Sequence, residues 1–399
     1  MPTTVSEKAL RIKPSSTLSI TAHANALKAS GVNIISFTVG EPDFPTPTHI
    51  NEFAIQAIHD GFTKYTAASG IPELKQAICK KLKDFNHISY SAEQIIVSNG
   101  AKHSLSNIFQ AILNPGDEVI IPVPYWLTYP EIVQLSGGIP VFVEGKRENH
   151  YKVTAEQVRN VVTDKTKAII LNSPSNPTGM LYSEEELREI AQVAITCDFF
   201  IVADEMYEFL TYGHHKHVSI ASLGPEVYEK TITCSGVSKS YAMTGWRIGY
   251  TASSKSLAAL MDGLQSHQTS NPCSISQKAA YEAIVGDQQP MLHMVAEFEQ
   301  RKNYMCTRLY QMPLIQFLEP EGAFYTFIDF SSVLQHSYKN QVLQSIDQVV
   351  SILLEEYHVA VIPCADFGSE QHIRLSFATS MENIIEGMNR LESFLLCIK

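Results

Sequence analysis

Short apolar runs alternate with helix-like segments through the middle of the chain. Between about Ile95 and Val202 the runs are IIVS, EVIIPV, PVFV, AIIL and FFIVAD. The segments between them, such as HSLSNIFQAIL and SEEELREIAQVAITCD, have apolar residues at helical spacing. This alternation predicts an α/β domain with a mostly parallel sheet sandwiched by helices. Two later runs, TITCSG and RIGYTAS, extend the same sheet, and a helix-like segment, KSLAALMDGLQSHQ, follows them.

The pattern changes after a turn-like segment, GDQQP, around Gly286. A long helical pattern then precedes strand-like GAFYTFIDF, another helix, and strand-like VAVIPCADFG and HIRLSFA. This order predicts a smaller α+β domain. We therefore expect a large domain over residues 45–287 and a small C-terminal domain over 288–399. Residues 1–44 contain too few apolar positions for a core of their own, so we expect them to dock on the small domain.

Composition and charge exclude several classes of partner. The chain has 399 residues, 45% of them hydrophobic, which is enough for two cores. Its net charge of -11 provides no global positive field to attract nucleic acid or an anionic membrane surface. No apolar run approaches the length of a membrane span or a secretion signal, so we expect a cytoplasmic protein. The seven cysteines are scattered, which indicates neither a metal site nor a disulfide framework.

Polar residues follow the apolar runs, and in an open α/β sheet ligands bind at the carboxyl ends of the strands. Gly100 ends the run IIVSNG, and Ala101 and Lys102 open a helix whose free N–H groups could hold a phosphate. An ordinary strand-to-helix turn that binds no ligand would show the same kind of sequence, so this alternative stays open. Trp126 follows IIPVP and could lie against an aromatic cofactor ring or belong to the core.

Three further candidates follow later strands. Asn176 lies in SPSNPTG, where its amide could serve a phenolate or carboxylate oxygen or simply form a turn. Asp204 ends FFIVAD, and Tyr207 comes three residues later. Burying a carboxylate after such an apolar run costs free energy unless the charge has a partner. Asp204 therefore either faces a ligand or forms a helix cap or ion pair.

The segment SGVSKSYAMTGWRIGY is the most specific feature of the sequence. Most lysines are merely solvated, but Lys239 lies among small residues, with Gly236 and Ser238 leaving space for a bulky ligand. A lysine in such a place can lose its proton and attack an aldehyde. Arg247, eight residues later, could hold a phosphate of the same ligand.

These residue types match the requirements of one cofactor, pyridoxal 5'-phosphate. It needs a lysine for its aldehyde, an acid at its ring nitrogen, donors at its phenolate oxygen and cationic donors at its phosphate. The acid matters because a protonated ring nitrogen withdraws electrons from the carbanion formed at the substrate Cα. We choose Asp204 for this role.

The chain resembles the class I/II aminotransferases of fold type I over nearly its whole length, and most closely their bacterial aspartate and aspartate/prephenate subgroup. The matching segments, all in the family's order, are KPSSTLSI, VGEPDFPTP, KYTAASGIPELK, VSNGAKHSL, PVPYW, NSPSNPTGM, VADEMYE, SGVSKSYAMTGWRIGY and HIRLSFATS.

The resemblance implies a role for each matching residue. The cofactor would be bound covalently by Lys239, with Asp204 at its ring nitrogen, Trp126 over its ring, and Tyr207 and Asn176 at its phenolate oxygen. Its phosphate would be held by Gly100, Ala101, Arg247 and, from the other subunit of a homodimer, Tyr65. The substrate would be bound by Arg374 at its α-carboxylate and by the backbone of Gly40, with Trp126 and Asn176 also in contact with it. From its apolar strand alone, Arg374 could equally form a structural salt bridge.

Two departures from the best-known subgroup limit how many of its residue roles can be assigned to this chain. Gly236 stands where that subgroup has a serine, which removes one hydroxyl from the phosphate site. That subgroup also binds the aspartate side chain with a partner-chain arginine, whereas the corresponding stretch here, QTSNPCSIS, has none. The resemblance to the bacterial subgroup implies that Lys102 holds the distal carboxylate and that Lys13 helps to accept prephenate.

The implied reaction moves the amino group of L-aspartate to 2-oxoglutarate through a pyridoxamine phosphate form of the cofactor. Aromatic amino acids and prephenate are further candidate substrates. Two alternatives stay open: a carbon–sulfur lyase of the same fold, and the aminotransferase-like sensing domain of a transcription regulator, which would need a DNA-binding segment. A nicotinamide enzyme is excluded because no G-x-G-x-x-G follows a strand.

Overall fold

The structure, a computed structural model, describes residues 5–10, 12 and 16–399. Its α-helices are α1 (Glu7–Leu10), α2 (Ser16–Ala29), α3 (Thr48–His59), α4 (Pro72–Phe85), α5 (Ala101–Ile112), α6 (Thr128–Leu135), α7 (Ala155–Val161), α8 (Glu184–Thr196), α9 (Pro225–Lys230), α10 (Lys255–Gln268), α11 (Ser274–Val285), α12 (Gln289–Leu309), α13 (Ile346–Glu355) and α14 (Met381–Leu395). Its strands are β1 (Ile35–Ser36), β2 (Ile95–Ser98), β3 (Glu118–Val123), β4 (Ile139–Glu144), β5 (Thr166–Asn172), β6 (Phe200–Asp204), β7 (Thr231–Gly236), β8 (Gly249–Ala252), β9 (Gln316–Phe317), β10 (Tyr325–Asp329), β11 (Ser337–Tyr338), β12 (Gln341–Val342), β13 (Val359–Ala360), β14 (Ile362–Pro363) and β15 (His372–Ser376).

A seven-stranded sheet forms the centre of the molecule, in the order β2-β8-β7-β6-β5-β3-β4. The neighbouring pairs from β7 to β4 are all parallel, and β8 runs antiparallel to both β2 and β7. The predicted α/β fold with a mostly parallel sheet is therefore confirmed.

Both faces of this sheet are covered by helices, as the apolar runs require. Adjacent residues on one strand enter opposite cores: Ile170 packs with α5, α6 and α10, whereas Ile169 packs with α7, α8 and α9. Local signals fix the helix starts. At α8, for example, the Ser183 side chain accepts from the backbone N–H of Glu186, whose carboxylate accepts from the Ser183 N–H.

The C-terminal part contains a four-stranded antiparallel sheet in the order β14-β15-β10-β9. Phe327 on β10 pairs with Arg374 on β15, which places the arginine in the middle of this sheet. The described part of the N-terminal segment also lies here, because β1 pairs in parallel with β13. The division at residues 44 and 287 itself remains a prediction.

Within the described ranges, we find no helix that combines the length and apolarity needed to cross a bilayer. All seven cysteines are free thiols, of which Cys273 and Cys397 are exposed.

Candidate active site

A cavity of about 360 Å³ opens where the strand ends of the large sheet meet the C-terminal sheet. Ten of the residues selected from the sequence line it. They are Gly40, Ala101, Lys102, Trp126, Asn176, Asp204, Tyr207, Lys239, Arg247 and Arg374. Four of these carry positive charge and one is acidic, so the cavity suits anionic ligands although the whole chain has a net charge of -11.

Lys239 lies just after β7 with its ammonium group pointing into the cavity. Its Nζ donates to the backbone carbonyl of Gly40 and lies 5.9 Å from the centre of the Phe324 ring. Burial lowers the pKa of Lys239 to about 8; the charges of Arg374 and Arg247 act in the same direction, and those of Glu41 and Asp204 oppose it. Lys239 therefore reaches its neutral, nucleophilic form far more easily than an ordinary lysine.

Asp204 ends β6 and is only 4% exposed. Its Oδ2 accepts a 2.7 Å hydrogen bond from the Tyr129 hydroxyl, and its Oδ1 accepts from the Met206 backbone N–H at 3.2 Å. Burial raises the pKa of Asp204 to about 6, against these two hydrogen bonds, which lower it. A buried acid of this kind favours a cationic partner, because the partner's charge offsets the cost of burying the carboxylate.

Arg374 is buried, and its guanidinium is held from several sides. Nη1 donates to Asn176 Oδ1 at 2.8 Å, and Nη2 donates to the Thr38 carbonyl at 3.2 Å. The guanidinium carbon lies 4.3 Å from the Tyr325 ring centre and 5.2 Å from that of Phe367. No carboxylate pairs with it among the described residues, and its Nε–H has no partner there. The salt-bridge alternative for Arg374 is therefore wrong for this structure, and a buried cation remains available to an anionic ligand.

Tyr207 also belongs to the cavity and is 5% exposed. Its hydroxyl lies 2.9 Å from that of Tyr325, and either oxygen can donate. The two phenols place donors between the part of the cavity near Asp204 and the part near Arg374.

Gly100 and Arg247 form a close pair at the start of α5. A Cβ atom on Gly100 would lie 2.4 Å from Nη2 of Arg247, and Gly100 has a φ of +83°, which favours glycine. Only glycine therefore lets the guanidinium lie against the N-terminus of this 12-residue helix. The backbone N–H groups of Ala101 and Lys102 at the helix start and the arginine together provide donors for a phosphate.

Lys102, on the first turn of α5, lies at the cavity edge with its Nζ 5.1 Å from the centre of the Trp126 ring. Partial burial lowers the pKa of Lys102, and the charge of Arg247 lowers it further. Lys102 lines the same cavity as Lys239, so it is not a surface lysine remote from the cleft.

The structure gives a physical reason for Gly236. A Cβ atom there would lie 2.8 Å from the carbonyl oxygen of Ile248 and 2.9 Å from Cα of Gly249, both on the neighbouring chain segment. The serine of the best-known subgroup would not fit between β7 and β8. Ser238 lines the cavity two residues later and offers a hydroxyl in its place.

Of the predicted residues that the structure describes, two do not line the cavity: Gly100, which lies against Arg247, and Tyr65. Tyr65 is 91% exposed and does not line it, so within one chain it has no contact with the site. Lys13 lies outside the described residues.

Thr38, Tyr129 and Tyr325 hydrogen-bond to predicted site residues but were not selected from the sequence. Tyr129 had a weak signal, because it follows Trp126 by three residues and contacts it edge-on, with ring centres 5.5 Å apart. Tyr325 and Thr38 reach the site through distant parts of the chain, and neither has a local sequence signal.

A group of ionisable side chains lies outside the cavity, and two of its members, Glu205 and Glu208, directly follow Asp204 and Tyr207 in the sequence. Among the described residues, Glu205, Glu208 and His217 are close enough to share a metal ion. Lys81 already pairs with Glu208, which also accepts from Asn86 at 2.8 Å. The Glu208 carboxylate is thus neutralised by the protein itself, and we assign no metal here.

The chain matches a known family over most of its length. The family model described as aminotransferase class I and II matches residues 32–391. The chain belongs to this family. It is 48% identical over 383 residues to an aspartate aminotransferase of Bacillus subtilis (strain 168), with 96% of each chain covered. It is 43% identical over 394 residues to an aspartate/prephenate aminotransferase of Nitrosomonas europaea, covering 98% of this chain and 99% of the relative.

Solved structures of class I and II aminotransferases have the same fold as this chain. An aspartate aminotransferase from Rhizobium meliloti superposes with a TM-score of 0.96 at 38% identity and full coverage of both chains. The aspartate aminotransferase of Thermus thermophilus with maleate gives a TM-score of 0.93 at 38% identity, covering 98% of this chain and 100% of that one. The predicted family and fold type are both confirmed.

Proposed function

We propose that this protein is a pyridoxal-phosphate-dependent aspartate aminotransferase, which moves the amino group of L-aspartate to 2-oxoglutarate. One observation carries the proposal: a lysine with a pKa of about 8 shares a cavity with a buried acid and a buried, carboxylate-free arginine. This combination suits a reaction in which an amine attacks an aldehyde and a carboxylate-bearing substrate loses a proton.

The cavity fits pyridoxal phosphate in five respects. The close approach of Gly100 and Arg247 leaves a concave set of N–H donors for a phosphate. The buried carboxylate of Asp204 suits a protonated ring nitrogen. The Tyr207 hydroxyl and the Asn176 amide can serve the phenolate oxygen, Trp126 can cover the ring, and Lys239 can bind the aldehyde. We assign the cofactor to these residues, with Ser238 replacing the hydroxyl that Gly236 lacks.

When bound, the cofactor supplies an electron sink for the carbanion that forms at the substrate Cα. The protein supplies the proton transfer. As a free amine, the Lys239 Nζ would take the Cα proton of the substrate as general base and, as the ammonium, would donate it to the former aldehyde carbon as general acid. A pKa of about 8 places this amine near the pH at which it must both accept and donate.

Asp204 maintains the charge that makes this transfer favourable. Its carboxylate would hold a proton on the cofactor's ring nitrogen, because a separated buried charge would be far less stable than the pair. Tyr129 stabilises the carboxylate by donating to Oδ2 at 2.7 Å.

The cationic residues distinguish a dicarboxylic substrate from others. Arg374 binds the α-carboxylate with the N–H groups that face the cavity, and Lys102 is our candidate for the distal carboxylate. The Thermus thermophilus relative was solved with maleate, a dicarboxylate, which supports this assignment. Aromatic amino acids and prephenate remain candidate substrates, and Lys13 remains a candidate for accepting prephenate.

The carbon–sulfur lyase alternative uses the same lysine and acid, and no observation favours it. The regulator alternative has no support either, since the relatives matched over 96% to 99% of their length are named as aminotransferases. A half-reaction separates all three. The purified enzyme is mixed with L-aspartate alone, and one equivalent of oxaloacetate per site is expected together with loss of the cofactor's visible absorbance. No oxaloacetate would contradict the proposal, and release of pyruvate, ammonia and sulfide from L-cysteine in a parallel incubation would favour the lyase.

The active unit in this proposal is a homodimer, in which Tyr65 donates to the phosphate bound by the opposite chain. Its 91% exposure leaves its hydroxyl available for a contact outside its own chain. The division into residues 1–44, 45–287 and 288–399 and a cytoplasmic location are parts of the same proposal.

A further inference from the structure

We propose that Tyr325 is a positioning residue with two separable roles: its hydroxyl donates to Tyr207, and its ring holds the Arg374 guanidinium. The inference rests on the proposed function, because it concerns how this chain presents Tyr207 to a ligand oxygen and Arg374 to a carboxylate.

Tyr325 contacts several parts of the site at once. It begins β10, is 1% exposed, and lines the cavity. Its hydroxyl lies 2.9 Å from that of Tyr207 and would lie 3.2 Å from a Cβ atom on Gly40, whose carbonyl accepts from Lys239. Its position therefore affects the phenol and the arginine through direct contacts, and the lysine through Gly40.

The number of protons fixes the direction of the hydrogen bond between the two phenols. Each hydroxyl has one proton to donate. If Tyr207 donates to a ligand oxygen, the bond between Tyr207 and Tyr325 must use the Tyr325 proton. A phenol that accepts a hydrogen bond becomes a stronger donor, because neighbouring hydrogen bonds polarise one another. Tyr325 thereby strengthens the donation by Tyr207.

Arg374 contributes to the same arrangement. Burial raises the pKa of the Tyr325 hydroxyl, and the charge of Arg374 lowers it. Arg374 therefore favours donation by this hydroxyl. In return, the Tyr325 ring lies 4.3 Å from the guanidinium carbon, with Phe367 also against it at 5.2 Å. The two rings fix the guanidinium plane through cation–π contacts.

Two substitutions separate the hydroxyl from the ring in the holoenzyme. Tyr325→Phe removes only the hydroxyl. Because Tyr207 then stabilises the unprotonated ligand state less well, the pH midpoint of the cofactor's visible absorbance should rise by about 0.4 to 1 unit. Affinity for maleate should change less than about twofold, since the ring remains. Tyr325→Leu removes both, so it should also weaken maleate binding by about 3-fold to 30-fold.

A double-mutant cycle tests whether Tyr325 acts through Tyr207. In a Tyr207→Phe background, adding Tyr325→Phe should leave the pH midpoint unchanged. Tyr151→Phe is the matched control, because the Tyr151 hydroxyl lies 3.1 Å from His372 Nε2 and outside this cavity. It should move neither the midpoint nor maleate affinity.

The outcomes separate this inference from the proposed function. A wild-type protein without visible cofactor absorbance would overturn both. A normal wild-type spectrum with an unchanged midpoint in Tyr325→Phe, or an equal shift in the Tyr207→Phe background, would overturn the role of the Tyr325 hydroxyl alone. If Tyr325→Leu does not fold, the maleate affinity of Tyr325→Phe tests the role of the ring instead. A loss of affinity greater than about twofold in Tyr325→Phe would contradict the claim that the ring and the hydroxyl have separate roles.

Discussion

An ordinary lysine is almost entirely protonated at neutral pH, and Lys239 differs because of where it lies. With a pKa of about 8, roughly one such side chain in four is neutral at about pH 7.5, against about one in a thousand at the usual lysine value of about 10.5. Asp204 is perturbed in the opposite direction, to a pKa of about 6, by the same cause. Burial thus makes the lysine more reactive and makes the acid costly until a cation faces it.

The cost of burying Asp204 leads to a prediction about stability as well as rate. The cofactor-free native protein holds the Asp204 proton more tightly than the unfolded chain, so its stability falls as pH rises from about 4 to about 6. Asp204→Asn removes this dependence. At pH 7.5 it should stabilise the cofactor-free protein by about 3 kcal/mol, measured from urea unfolding, with little gain at pH 4.

The same substitution should lower turnover of the holoenzyme by about 100-fold, since an amide cannot hold the ring nitrogen's proton. Stopped-flow measurement with saturating aspartate isolates the proton-transfer step from substrate binding. Near wild-type turnover would show that Asp204 has only a structural role.

Specificity for acidic substrates is assigned to a single residue, Lys102. A hydrogen bond to a charged group contributes about 1.5 to 3 kcal/mol, so Lys102→Met should lower kcat/KM for aspartate by about 10-fold to 150-fold. The value for phenylalanine should fall much less, because phenylalanine has no distal carboxylate. Equal losses for both substrates would instead return Lys102 to the phosphate site.

At the level of secondary-structure elements, the approach of β7 to β8 determines which hydroxyl can serve the phosphate. Gly236→Ser would put Cβ 2.8 Å from the Ile248 carbonyl oxygen, a backbone atom that cannot move aside alone. We expect a loss of about 1 to 3 kcal/mol in stability and no gain in cofactor affinity.

Gly263→Ser is the matched control for Gly236→Ser, since nothing lies within 4 Å of a Cβ atom at Gly263. Unfolding and cofactor-binding titrations of both variants provide the comparison. Tighter cofactor binding by Gly236→Ser would show that the serine of the best-known subgroup fits here after all.

Most elements could be predicted because their signals are local. The run FFIVAD, for instance, carries enough apolar β-formers to identify β6, and Asp204 at its end identified the acid. The sheet order could not be predicted in this way. β8 inserts antiparallel between β2 and β7, and its pairing with β2 joins residues about 150 positions apart, which depends on packing across the whole sheet.

The site shows the same limit. Residues at strand ends, such as Asn176 and Asp204, could be selected because parallel strands end at one edge. The contact of Tyr207 with Tyr325 joins residues 118 positions apart, and the Arg374 bond to Thr38 spans 336. Neither contact has a signal in the surrounding sequence, and both required the tertiary structure.

At the level of the whole molecule, Tyr65 connects the proposed site to a dimer. If it acts on the opposite chain, a hybrid dimer of Tyr65→Arg and Lys239→Ala chains contains one site free of both changes. Co-expression of the two inactive variants should therefore restore about a quarter of wild-type activity, because about half the dimers are hybrids with one good site each. No recovery from isolated hybrid dimers would contradict sharing of the site.

The central claim is that Lys239 binds the cofactor aldehyde. Borohydride reduction of the purified holoenzyme should fix the cofactor to one lysine, and peptide mapping by mass spectrometry should locate it in the segment SGVSKSYAMTGWR at Lys239. The Lys239→Ala protein should take up no label under the same conditions. Label on another lysine, or stoichiometric label in Lys239→Ala, would contradict the account.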